Sequence, residues 1–316
     1  MSSQMMHEKI RTLKPRRSLL YVPGNNARML EKASTLPTDV VIFDLADAIA
    51  PEAKLEARQM VYDALRKYDY GYREKVVRIN SLYSDWGKDD LRVFCTARVD
   101  AILQPKMEHG KEVQQVAQFM SSFNAPYELP IWCMLETPMG ILNAHEITAA
   151  NYRVQALMVG TNDLAKGLQI RLDNPRPALV EHLMHVILVG RSYNLEVFDG
   201  VFTDLEDLRG FEDECLQAAS LGFDGKALMH PNQSGSANRV FSPTAEEVEW
   251  SKEVIEKYTQ ARAQHKGIAV IRGKLIEELH FDKAQRIVKL AEEVAKRDEL
   301  QKPDNEDEEP KKAQNS

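Results

Sequence analysis

Eight short segments rich in Val, Ile and Leu recur along this chain, at 17–23, 40–45, 75–80, 101–106, 131–137, 156–163, 196–203 and 225–230. Stretches with apolar residues at helical spacing lie between them, 26–36 and 52–67 among them. No other feature restricts the fold so severely. Several segments, such as Val40-Val41-Ile42-Phe43, are continuously apolar, the pattern of a parallel strand covered on both faces. Eight strand-plus-helix units in roughly 230 residues fit an α/β protein built as a (β/α)8 TIM barrel better than a doubly wound open sheet.

After residue 230 the pattern changes. Ser242-Pro243-Thr244-Ala245-Glu246-Glu247 reads as a helix start, with Thr244 and Glu247 placed for a capping box. That helix is expected to run to about residue 266 and to be broken between Gly267 and Gly273. A second amphipathic helix follows from Leu275, with Ile276, Leu279, Ala284, Ile287, Val288, Ala291 and Val294 at 3/4 spacing. The expected organisation is an N-terminal arm (1–15), a barrel (16–240), a C-terminal helical lid or oligomerisation subdomain (241–299) and a charged disordered tail (300–316).

The net charge of −7 argues against a surface for nucleic acid or other polyanions. Three cysteines without C-x-x-C spacing indicate neither a disulfide framework nor a structural zinc site. No apolar run reaches bilayer length, and residues 1–15 lack the apolar core of a secretory signal. A reduced, cytoplasmic protein is the expectation.

In such a barrel, chemistry sits where strands end. Two ends are alike: Cys133-Met134-Leu135-Glu136 and Leu157-Met158-Val159-Gly160-Thr161-Asn162-Asp163 each run from an apolar strand into a carboxylate and a turn. Carboxylates on neighbouring strands can share a hard divalent cation, Mg²⁺ being the most plausible. The other ends bring Tyr21, Asp44 with Asp47, Arg78, Lys106, Thr203-Asp204 and His230. An Arg buried at such a rim requires an anionic partner. Plainer readings stand beside these. Glu136 also fits a salt bridge to Lys106 or Arg78, Asp163 a helix cap, Lys106 a surface residue and His230 a packing role.

Several motifs in order resemble one family. They are Arg17-Ser18-Leu19-Leu20-Tyr21-Val22-Pro23-Gly24-Asn25-Asn26, Asp44-Leu45-Ala46-Asp47-Ala48, Val77-Arg78-Ile79-Asn80 and Pro105-Lys106. Glu136-Thr137-Pro138-Met139-Gly140, Gly160-Thr161-Asn162-Asp163-Leu164 and Gly225-Lys226-Ala227-Leu228-Met229-His230-Pro231 complete the set. The chain resembles the citrate lyase β-subunit-like family of Mg²⁺-dependent acyl-CoA lyases in the HpcH/HpaI aldolase/citrate lyase superfamily, and is similar to malyl-CoA and citramalyl-CoA lyases. The resemblance implies Mg²⁺ on Glu136 and Asp163, and Arg78 holding the substrate carboxylate and the developing oxyanion. It also implies Tyr21, Arg28, Lys32 and Lys106 toward substrate or CoA, Asp47 and Glu277 in catalysis, and a homotrimer or homohexamer. The implied reaction cleaves a β-hydroxyacyl-CoA to a 2-oxo acid plus acetyl-CoA or propionyl-CoA. A thioester hydrolase, a malate- or citramalate-synthase-type condensation, and a catalytically weak acyl-CoA-binding homologue are the alternatives.

Two positions depart from the family pattern. Ala46 replaces a Glu of the Asp-Leu-Glu-Asp motif, which is expected to deprive Arg78 of an orienting charge and alter the tuning of the metal. Glu277, in Gly273-Lys274-Leu275-Ile276-Glu277, stands where a catalytic Asp is usual; it also fits a first-turn helix residue.

Overall fold

The structure, a computed structural model, describes residues 14–301. Apart from residues 14–15 and 300–301, the expected arm and tail fall outside that range. Eight parallel strands close a barrel in sequence order: β1 (Ser18–Pro23), β2 (Val40–Asp44), β3 (Glu74–Arg78), β4 (Ala101–Gln104), β5 (Ile131–Leu135), β6 (Val154–Val159), β7 (Glu196–Asp199) and β8 (Gly225–Leu228). β8 returns to pair with β1 through Ser18 and Lys226, so no open edge remains.

Alternation along each strand sorts the side chains. Leu19, Tyr21, Val40, Ile42, Val76, Leu103, Trp132, Met134, Met158, Phe198 and Ala227 fill the lumen. Their neighbours Leu20, Val41, Phe43, Val77, Ile102, Cys133, Leu157, Val197 and Leu228 pack outward against the helices. Both layers are buried, which explains why the strands read as continuous apolar runs. The outward positions also hold a satisfied charge cluster: Lys226 Nζ donates to Asp199 at 2.6 Å and to Glu214 at 2.7 Å, and Arg176 donates to Asp199 at 2.9 Å. The three cysteines are buried free thiols.

The chain divides into two compact units, the second comprising residues 14–15 and 242–301 of the described range. In it, the helices Ala245–Ala263 and Glu278–Glu299 pack on each other through Val254, Tyr258 and Ala284. The Thr244 side chain caps the first helix by accepting from Glu247 N at 3.1 Å, while Glu247 Oε2 accepts from Thr244 N at 2.8 Å. Between the helices lies an antiparallel hairpin, β9 (Ala269–Ile271) and β10 (Lys274–Ile276), where sequence periodicity suggested only a break. Its turn places Arg272 and Gly273 at φ 49° and 77°. Among the described residues no helix is long and apolar enough to cross a membrane.

Candidate active site

A cavity of about 350 Å³ opens at the C-terminal ends of the strands. Tyr21, Met134, Met158, Val201 and Ala227 give it apolar walls, and Asp44, Asp47, Arg78, Asn162 and Asp163 supply polar groups.

Register explains the first polar pair. β2 and β3 run in parallel with Asp44 opposite Arg78. Arg78 donates from Nε and Nη2 to the two oxygens of Asp44, each at 2.7 Å, and from Nη1 to Asp47 at 3.1 Å. The Tyr21 ring lies 4.8 Å from the guanidinium carbon. Burial opposes the Arg78 charge, but Tyr21, Asp44 and Asp47 outweigh it and keep the group protonated. Ala46 itself offers Arg78 no charge, and the fork-to-fork pair with Asp44 orients the guanidinium. Asp44, which no motif argument singled out for a role, is therefore central to the site.

The second polar pair comes from β5 and β6. Glu136, one residue beyond β5, is fully buried just beneath the cavity lining. Its Oε1 accepts from the main-chain N–H of Lys106 at 2.8 Å, and its Oε2 has no hydrogen-bond partner. Gly160 covers it so closely that an added Cβ would lie 2.7 Å from Oε2. Burial pushes the Glu136 pKa from 4.5 up to about 7; Arg78 pulls it down and Asp163 pushes it further up. The salt bridge from Glu136 to Lys106 or Arg78 that the sequence allowed is not formed: Lys106 reaches it through the main chain, and Arg78 turns to Asp44. Asp163 is the third residue of the helix Thr161–Leu168, whose N-cap is Gly160, so the capping reading of Asp163 is also corrected. Its carboxylate lines the cavity.

Among the described residues, no three His, Cys, Asp or Glu side chains gather into a complete metal cage. Two carboxylates, one with an orphaned buried oxygen, nevertheless suit a hard cation that keeps part of its water shell. The residues present fit such a group.

The remaining positions are distributed as follows. Tyr21 is buried in the lumen at the cavity wall, and its hydroxyl reaches Met158 Sδ at 3.3 Å. Arg28 and Lys32 are exposed on the helix Ala27–Lys32, whose Met29 lines the cavity. Lys106 stands half-exposed at φ 53°, with Nζ 3.9 Å from Asp47. Asp204 accepts from Glu206 N and caps its own turn, and His230 accepts from Asn232 N. Glu277 is the N-cap residue of Glu278–Glu299 in the second unit, not a first-turn residue, and its N–H donates to His280 Nδ1 at 3.0 Å.

Residues 17–231 match the family described as HpcH/HpaI aldolase/citrate lyase, and the chain belongs to that family. It is 41% identical over 281 residues to a (3S)-malyl-CoA thioesterase of Cereibacter sphaeroides, covering 89% of this chain and 96% of that protein. To the citrate lyase subunit beta of Escherichia coli it is 30% identical over 296 residues, covering 92% and 97%. The crystal structure of CitE from Mycobacterium tuberculosis in complex with magnesium and pyruvate is similar at a TM-score of 0.63 and 26% identity, over 75% of this chain and 94% of that one.

Proposed function

We propose that this chain is a Mg²⁺-dependent enzyme acting on a β-hydroxyacyl-CoA of the malyl-CoA or citramalyl-CoA type, cleaving it to a 2-oxo acid plus acetyl-CoA or propionyl-CoA. The observation that carries this reading is Glu136: a fully buried carboxylate with an orphaned oxygen, close to Asp163 and to the pinned charge of Arg78. The magnesium complex of CitE, a protein of similar fold, supports it. Glu136 and Asp163 would hold Mg²⁺, which supplies Lewis-acid polarisation of the substrate oxygen when bound.

The chain's own groups do the rest. Three of the five N–H groups of the Arg78 side chain are tied to Asp44 and Asp47, which leaves two for the substrate. Their fixed direction suits the substrate carboxylate and stabilises the negative charge that develops as the bond breaks. The apolar walls keep water from the carbanion. In the cleavage direction the substrate hydroxyl loses its proton, the bond between the carbinol carbon and the α-carbon breaks, and the electron pair moves into the thioester enolate. A carboxylic acid then protonates the α-carbon. Asp47, half-exposed at the rim, is the base of this reading, and the acid that the resemblance assigns is Glu277 of a neighbouring subunit. Arg28, Lys32 and Lys106 are the cations available to CoA phosphates.

A second reading, thioester hydrolysis, is favoured by the 41% identity to a malyl-CoA thioesterase. Chromatography of products separates the two. Purified protein with Mg²⁺ should convert one of malyl-, methylmalyl- or citramalyl-CoA to a 2-oxo acid and a shorter acyl-CoA. Turnover should cease with EDTA or in Glu136→Ala, and fall sharply in Glu277→Gln. Free CoA with an intact hydroxy acid would assign the hydrolase instead, and survival of every substrate would defeat both.

A further inference from the structure

Lys54 is a buried ammonium that the proposed chemistry leaves unused. It opens the helix Lys54–Lys67 and is only 7% exposed. Its Nζ donates to two main-chain carbonyls, Leu45 O at 3.0 Å and Ala46 O at 2.9 Å, and sits 5.2 Å from the centre of the Trp86 ring. Both carbonyls belong to the turn that leaves β2, with Asp44 at its start and Asp47 within it.

The rest of the turn is fixed from the opposite side. Asp44 accepts from Ala46 N at 2.9 Å and from Ala48 N at 3.3 Å. Leu45 N donates to Arg78 O, and Leu45 O also accepts from Asn80 Nδ2 at 2.9 Å. The amides of Ala46 and Ala48 thus gather on Asp44, and the carbonyls of Leu45 and Ala46 on Lys54. The side chain at 46 is a methyl group, so bracing at this position must act through the main chain.

Burial lowers the Lys54 pKa, Asp44, Asp90 and Asp47 raise it again, and Arg78 lowers it. An ammonium sunk against carbonyl dipoles instead of a counter-ion is an unfavourable way merely to pack a helix, since an apolar residue would avoid the desolvation.

We propose that Lys54 is a positioning residue, clamping the β2 turn so that Asp44 and Asp47 hold the two remaining N–H groups of Arg78 toward the cavity. The proposal rests on the reading of Arg78 as the group that meets the substrate anion. Lys54→Met keeps the aliphatic stem and removes the charge. In that variant, amide hydrogen exchange across residues 45–49 should accelerate on the order of tenfold or more, while β5 and β6 keep their protection. By calorimetry, Mg²⁺ should bind as in the wild type, because Glu136 and Asp163 are untouched. Pyruvate binding in the presence of Mg²⁺ should weaken on the order of tenfold.

Unchanged exchange at 45–49 would overturn the clamp. Faster exchange with intact pyruvate affinity, or equal weakening of Mg²⁺ and pyruvate, would reduce Lys54 to a structural stitch and overturn the positioning role. A wild-type protein that binds no pyruvate would count against the functional reading, and the exchange measurement would then decide the clamp alone. Should Lys54→Met not fold, Lys54→Gln, which keeps a neutral donor, carries the same comparisons.

Discussion

At the scale of single residues, Glu136 is where stability and function oppose each other. In the absence of a cation its pKa is pushed up to about 7 by burial, against 4.5 in the unfolded chain. The folded state therefore binds this proton more tightly than the unfolded state. The resulting contribution is fully present below pH 4.5 and is lost as the pH rises through 7. The loss amounts to about 3 kcal/mol at pH 8. Glu136→Gln removes the titration. Without divalent cation, its melting temperature should exceed that of the wild type at pH 8, and the difference should shrink toward pH 5. Mg²⁺ should raise the wild-type melting temperature and leave the variant unmoved. Parallel pH profiles for the two proteins in scanning fluorimetry would contradict the buried-carboxylate account. Glu136 was legible in the sequence because a carboxylate closing an apolar strand stands out. Its orphaned oxygen was not, because that depends on where Arg78 points, and Arg78 is taken by Asp44 through a register that no local pattern encodes.

At the scale of elements, the ends of β5 and β6 approach each other so closely that only glycine fits between them. Gly160 N donates to Leu135 O at 3.0 Å, and a Cβ at 160 would fall 2.4 Å from the Cβ of Glu136. Its φ of −91° is open to any residue, so the requirement is space and not conformation. Gly160→Ala should cost about 1–3 kcal/mol of stability. By displacing Glu136 it should also weaken Mg²⁺ binding about 10- to 100-fold, as disturbed support of a metal ligand commonly does. Calorimetry on a variant with wild-type circular dichroism tests this, and an unchanged Mg²⁺ affinity would show that Glu136 tolerates the shift. The eight barrel strands could be read from sequence because burial on both faces writes a long apolar run. The hairpin of β9 and β10 could not: each strand has three residues, too few to display alternation, and Val270 and Leu275 are exposed. The Thr244 cap was readable because both partners of a capping box lie within four residues.

At the scale of the whole barrel, the two ends of the lumen are built alike from inward-facing charge but serve different ends. At the top, Asp44 and Asp47 hold Arg78 beside a cavity. At the bottom, Arg16 bridges Glu74 at the start of β3 and Glu196 at the start of β7, with its guanidinium 5.3 Å from the Trp132 ring. Trp132, Phe198, Met134 and Met158 fill the lumen between the two sets. Conserving the fold and conducting chemistry are thereby assigned to opposite faces, as the architecture favours. Arg16→Met should leave Glu74 and Glu196 without their shared cation. Both carboxylates are largely shielded from solvent, though Arg16 and Glu196 are partly exposed, so about 2–3 kcal/mol should be lost. For a domain of this size that corresponds to a melting temperature lower by roughly 5–10 °C. Affinity for Mg²⁺ and pyruvate should be unchanged, because an aromatic and methionine layer separates the bottom charges from the top ones. A variant that melted lower and also lost ligand affinity would show that the two ends are coupled through the lumen, and the division of labour would have to be abandoned.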